Sequence, residues 1–339
     1  MVQKAYLEYK NKVVETDTRF EHVMAIALNP SAAYKEGVIR CITSRSGDVA
    51  TSGFMDKSQL YKINGDGLEA FKIGNHLDIK NEKEIIGEIA GTNWECLGLE
   101  DPDIWIDANT GLTHLYFTLP FVSKNPGKHQ YKINLGHAVG KNLDTLEMTL
   151  PVLSVTEDVP GGAKELCIAP QNVRGFRYNL VESGQQEADF IYSVVRVAIA
   201  ENMGHPWQYG DIAFHPKQHN IPWIAGHASP GPLLPKSFLN VGEGKILGIM
   251  NGREANQKLG DQIKYGMFAV GLFIYDYENG IIDWVSPQPL IRDSQARTIT
   301  FASQFVEQKP GHGILYAHVD DSFVRAYTLN ADGIKLLLP

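Results

Sequence analysis

The sequence predicts an all-β fold, a five-bladed β-propeller, on two observations. Helical periodicity is scarce, and short apolar or alternating runs are separated by Gly, Pro, Asn and Asp. Apolar hairpin-like segments also recur, beginning near Val38, Leu115, Phe176, Ile246 and Ile314, with starts roughly 60–80 residues apart. Upstream of each lies a segment marked by proline or acidic residues: Asn29-Pro30, Glu100-Asp101-Pro102, Lys164-Glu165 with Ala169-Pro170, Pro230-Gly231-Pro232, and the run Thr298 to Phe301. Five units of about four strands describe a propeller, whose radial repetition leaves only short edges. A pair of β-sandwiches is the competing fold, but it does not predict one polar signature per unit.

The 339 residues admit two domains by length, yet repeat folds of this size stand as one unit. The chain is therefore read as a single propeller over 1–339, with the first ~20 residues a closing strand or an extension. Long surface loops are expected over Lys62–Asn93, Glu157–Ala163 and Glu201–Pro222. The last holds His205, His215 and His219 without the spacing of a metal site, so no metal and no cofactor are expected. Trp207 and Trp223 offer an apolar surface for a homo-oligomer.

Composition narrows the function classes. A 43% hydrophobic content supplies a large core, and a formal net charge of -8 argues against nucleic acid and an anionic membrane surface as partners. Cys41, Cys96 and Cys167 are widely spaced and odd in number, as free thiols in a reducing compartment would be. No apolar leader or bilayer-length run is present, so a cytoplasmic protein is expected.

The stretch Leu97 to Trp105 organises the candidate site. Pro102 fixes its own φ and pushes Asp101 towards extended backbone at the start of a strand. A carboxylate held there suits acid/base work, and a turn Asp capping its own backbone is the alternative. Propeller geometry brings the first-strand residues, Asp101 among them, to one end of the axis.

Taken in order, Asn29-Pro30, Glu100-Asp101-Pro102, Lys164-Glu165, Gly231 to Lys236 and Leu315 to Asp321 resemble glycoside hydrolase family 130. Tyr265 to Leu272, Asp276 to Gly280 and Pro289-Leu290-Ile291 follow the same pattern. That family comprises β-mannoside phosphorylases and β-1,2-mannosidases on five-bladed propellers. The resemblance implies an oligosaccharide substrate, Asp101 as general acid, and Asn29, Arg45, Lys236, Phe301 and Asp321 around the sugar beside the scissile bond. Amides, charged groups and an aromatic ring suit that task.

Three departures stand out. Asp103 replaces an arginine of the phosphorylases, Glu182 another, and Met250-Asn251-Gly252 a Tyr-His-Gly; Tyr265 is kept. Carboxylates at these places are expected to repel phosphate and to leave water as the nucleophile. The resulting expectation is an inverting glycosidase, with Asp101 as acid and Glu182 as base. Glu165 is the second candidate base, and its setting also resembles the Glu-Cys acid of fructosidase-type propellers. A phosphorylase and a non-catalytic carbohydrate-binding propeller remain as alternatives.

Overall fold

The computed structural model describes residues 4–14, 17–125, 131–187, 190–260 and 262–339. Antiparallel strands dominate, and they group into meanders of four strands. The first runs Val23–Leu28, Glu36–Ser46, Met55–Asn64 and Lys72–His76. The second runs Glu100–Ile106, Thr113–Ser123, Tyr131–Gly140 and Glu147–Met148, with Trp94–Cys96 added beside Thr113–Ser123. The third comprises Ala163–Cys167, Arg177–Glu187, Phe190–Ala200 and Gln208–Phe214. The fourth comprises His227–Leu234, Lys245–Arg253, Phe268–Asp276 and Ile281–Val285. A single parallel bridge, Ser193 to His227, joins these two into one eight-stranded sheet.

The last meander is built from both ends of the chain. Thr300–Lys309, His312–Val319 and Phe323–Asn330 take Tyr6–Lys12 as their outer strand. The apolar segments singled out in the sequence lie on, or within a residue of, the second strand of each meander.

Five apolar clusters pack one meander on the next. Val38 and Leu60 meet Leu115 and Phe117; Tyr116 and Leu135 meet Val181 and Ala198; Leu180 and Val195 meet Met250 and Phe273. Leu247 and Leu272 then meet Leu315 and Tyr327, and Ile314 and Val324 return to Val23 and Ile39. The clusters therefore close a cycle, and the core lies between sheets rather than within one.

Two of the expected loops contain structure, while Glu157–Ala163 is turn and irregular backbone up to the strand that opens at Ala163. Lys62–Asn93 holds the rest of Met55–Asn64, the strand Lys72–His76 and a helix, Glu82–Ala90. Ile85, Ile86 and Ile89 pack that helix on the Leu115 cluster, which rescues a segment too short to hold helix alone. The outer strand Gln208–Phe214 runs through Glu201–Pro222. Trp207 and Trp223 are buried, with indole N–H groups donating to the Asn202 and Ser286 carbonyls, so neither side chain is free for an interface. No helix among the described residues is long and apolar enough to cross a membrane.

Arg325 fastens the N-terminal strand. Its guanidinium donates to the carbonyls of Tyr9 and Lys10 and to Gln295 Oε1, and meets Asp293 Oδ2 at 2.5 Å. Tyr327 Oη donates to the same carboxylate at 2.6 Å. Both charged side chains are almost wholly buried. Removing one partner strands the other, which costs about 3–5 kcal/mol at such sites. Arg325→Met is expected to lower unfolding free energy by about that amount in urea titrations and to expose residues 4–12 to proteolysis. An unchanged midpoint refutes this role.

Candidate active site

The first strands of the meanders share an irregularity. Each shows a register shift against its neighbour: between Met24 and Ile26, Glu100 and Asp103, Lys164 and Leu166, Pro230 and Leu233, and Ala302 and Gln304. In three of them a non-glycine residue in the shifted stretch has positive φ: Ala25 at 47°, Asp101 at 46° and Glu165 at 52°. Bulges bend a strand and re-aim its side chains, and such backbone costs of order 1–3 kcal/mol per residue. Asp101 is therefore left-handed rather than extended as its proline predicted. Within the bulge Pro102 need not supply a ladder N–H.

Asp101 and Glu165 line one cavity of about 430 Å³, with Arg40, Lys164, His227, Arg253, Tyr265, Phe301, His318 and Asp321 also on its wall. Arg40 comes from the first meander and is 7% exposed. Its Nη1 donates to Asp101 Oδ1 at 2.9 Å, its Nη2 to Glu100 Oε1 at 2.6 Å and its Nε to Ser58 Oγ at 3.1 Å. Burial works against the guanidinium charge, but Glu100 and Asp101 outweigh it. Burial in turn pushes Glu100 up to about 7, against the pull of Arg40.

Glu165 behaves differently. Burial, reinforced by the neighbouring Asp101, pushes its carboxyl well above the usual range, and Lys164 and Arg40 only partly oppose the shift. Among the described residues no cation pairs directly with it. Lys164, one residue earlier, instead points its Nζ at Glu182 Oε1, 3.4 Å away.

Glu182, the expected base, does not line this cavity. It is 3% exposed, with His227 Nε2 2.9 Å from Oε2. Burial alone would raise its pKa, but His227 and Lys164 overcome that and hold it far below the ordinary value. A carboxylate so stabilised has little tendency to take a proton. Asp103 is displaced from the site as well: it lines a second cavity of about 300 Å³ with Cys167, Pro232 and Gln304. There, without a paired cation, burial raises it to about 7. Asn251 is fully buried and cross-links to the backbone of Ala302, at 2.8 and 3.0 Å. The expected wall of negative charge against phosphate is therefore not what this structure builds.

The expected sugar-contacting residues divide. Phe301 lines the cavity and stacks on His318 at 5.1 Å between ring centroids, and Tyr265 lies on the same wall. Asp321 also lines it, 3.2 Å from His318 Nε2; burial acts to raise its pKa, but His318 more than offsets that. The preceding Asp320 holds the turn, accepting the backbone N–H groups of Arg297, Thr298 and Ile299 at 2.9 Å each. Arg45 stands behind the wall, bidentate to Asp56 at 2.8 and 2.6 Å and bonded to the Asp321 carbonyl. Asn29 caps a 3-10 turn by accepting Ser31 N–H, and Lys236 donates to Tyr277 Oη at 3.1 Å. Neither Asn29 nor Lys236 lines the cavity.

Arg40, His227 and Arg253 were not singled out from sequence. A signal existed for Arg40, a charge inside the apolar run Val38 to Ile42. His227 and Arg253 gain meaning only from partners in other strands.

This fold is shared by mannoside phosphorylases of the glycoside hydrolase family 130 type and by related β-propeller glycoside hydrolases. A glycosyl hydrolase from Bacteroides ovatus superposes with a TM-score of 0.62 at 16% identity, over 91% of this chain and 84% of that one. A β-1,2-mannobiose phosphorylase from Listeria innocua gives 0.56 at 12% identity, over 98% and 90%. A GH62 α-L-arabinofuranosidase from Coprinopsis cinerea gives 0.57 at 9% identity, over 97% and 98%. No family model matches the sequence, and no curated protein matches it.

The raised pKa of Glu165 has a sign that can be measured. An acid whose folded pKa exceeds its unfolded value, about 4.3 for Glu, stabilises the fold fully below that value. The contribution fades as pH rises towards the folded pKa. Glu165→Gln removes this dependence, so the variant is expected to gain stability relative to wild type between pH 4 and pH 8 in denaturant titrations. A stability difference independent of pH contradicts the described environment.

Proposed function

We propose that the meanders are the blades of a five-bladed β-propeller and that the Asp101–Glu165 cavity cleaves a glycosidic bond in a β-mannoside or related glycoside. The observation that carries this reading is the pairing itself. Two carboxyl groups on equivalent bulges in the first strands of successive meanders face one cavity; Asp101 is ion-paired with Arg40, whereas Glu165, raised by burial, has no paired cation among the described residues. Pairs of titratable groups driven to different protonation states are how acid and base are divided in such chemistry. Glu165, kept protonated, is suited to protonate the leaving oxygen. Asp101, whose Oδ1 lies 2.9 Å from Arg40 Nη1, is placed to act as the base that activates water on the other face of the sugar, with inversion.

These roles reverse the order expected from the sequence and leave Glu182 outside the chemistry. Phe301, Tyr265 and Asp321 are suited to hold the sugar, the rings against its apolar face and the carboxylate on its hydroxyls. The likeness in fold to glycosyl hydrolases and mannobiose phosphorylases supports glycoside chemistry in general.

Phosphorolysis is the second reading, favoured by the cationic groups Lys164 and Arg253 on the cavity wall. Product analysis over manno-oligosaccharides separates the two. Hydrolysis gives free sugar in phosphate-free buffer; release only with phosphate, as a sugar 1-phosphate, overturns it. A carbohydrate-binding propeller gives neither product.

Glu165→Gln and Asp101→Asn are each expected to lower kcat by about 10²–10⁴-fold on unactivated substrates. With a 2,4-dinitrophenyl glycoside, whose leaving group needs no proton, Glu165→Gln should recover most activity while Asp101→Asn stays impaired. The opposite pattern returns the acid role to Asp101.

A further inference from the structure

Arg253 ends the second strand of the fourth meander and lies on the cavity wall, yet among the described residues no carboxylate pairs with it. Its Nε is buried without an acceptor. What surrounds it is aromatic: the guanidinium carbon lies 4.5 Å from the Tyr265 ring centroid and 5.2 Å from that of Phe268. Rings of this kind orient a guanidinium plane and exclude water from it without neutralising its charge. The residue as a whole is half-buried, and a guanidinium whose Nε is buried without an acceptor gains from an anion that completes it.

The Lys and Arg side chains of the cavity wall indicate the size of that anion: among the described residues Arg40 and Lys164 face carboxylates, and Arg253 does not. Lys164, His227 and Arg253 line the cavity, and Glu182 lies outside it, 3.4 Å from Lys164 Nζ and 2.9 Å from His227 Nε2, with His227 driven towards its neutral form by burial despite Glu182. Glu182 is matched by Lys164, which leaves one positive charge over. A dianion would exceed that by one unit, whereas a single carboxylate balances it and fits the planar fork with two parallel hydrogen bonds.

We propose that Arg253 anchors the carboxylate of an acidic sugar, so that the substrate is a hexuronate-bearing glycoside rather than a neutral one. This rests on the cavity being the glycoside site proposed above. The sugar would lie with its carboxylate on Arg253 between Tyr265 and Phe268 and its scissile bond towards Asp101 and Glu165.

Calorimetric titration of the intact protein with sodium D-mannuronate, D-mannose and inorganic phosphate tests it. A bidentate charge-assisted contact predicts mannuronate binding about 10- to 100-fold tighter than mannose. Arg253→Met, which keeps an apolar stem between the rings, should erase that preference, bringing the ratio of the two affinities to about one. Arg253→Lys should restore only part of it. Equal affinity for the two sugars, or a preference surviving in Arg253→Met, overturns the proposal while leaving glycoside cleavage intact. Phosphate binding more tightly than mannuronate, and lost in Arg253→Met, assigns the guanidinium to a mineral anion and also overturns it. If neither sugar binds and no manno-oligosaccharide is cleaved, both this proposal and the glycoside reading fall.

Discussion

The cavity depends on the Arg40 guanidinium. It is carried by one meander and satisfied by the next, so the carboxylates of Glu100 and Asp101 stand where two sheets jointly put them. Burying such charges costs several kcal/mol per ion, and only close geometry with further hydrogen bonds offsets it. Here Ser58 completes the set, accepting from Arg40 Nε. The approach of the two meanders also requires Gly98. At φ +118° it lies against Ser58, and a Cβ built there would stand 1.9 Å from the Ser58 carbonyl oxygen. A residue with a side chain at that position would push apart the strands that hold Arg40 and Asp101 in register.

The repeated bulge shows which strain belongs to the fold and which to the site. Ala25 has the same left-handed backbone as Asp101 and Glu165 but no polar side chain to gain from it. The conformation is therefore a property of the first strand in these meanders, and the side chain placed on it is a separate choice. Two of the three positions carry carboxyls that reach the cavity. Function is thus added to a backbone device that the fold already supports.

What could be read in the sequence was local. The spacing of apolar runs marked the second strands, because a two-residue period and its punctuation are written within each segment. Glu100-Asp101-Pro102 marked a strand start, although the bulge reversed the backbone expected before proline. Asp103 misled because the resemblance put it where the phosphorylases hold an arginine, whereas here it lines a different cavity. Glu182 misled because its partners, His227 in the next meander and Lys164 directly opposite on the neighbouring strand, are set by strand and sheet pairing. Asn29 and Lys236 are held by a turn and by Tyr277, local choices that a motif does not distinguish from sugar contacts. Helix Glu82–Ala90 was hidden by its length, since nine residues carry a weak period and gain their order from packing.

The site also separates the protonation states of like residues by distributing a few cations. Arg40 is committed to Glu100 and Asp101, and Arg45 to Asp56. Lys164 adjoins Glu165 in sequence and would be its natural partner, but it is drawn to Glu182 together with His227. Glu165 is left to burial and a neighbouring carboxylate, which both favour its protonated form and outweigh the pull of Lys164 and Arg40. Glu182 therefore acts on the cavity without entering it. By engaging Lys164 Nζ it weakens that cation's pull on Glu165, and its own charge adds to those that raise Glu165, which favours a proton on the carboxyl group from which the proposed chemistry donates it.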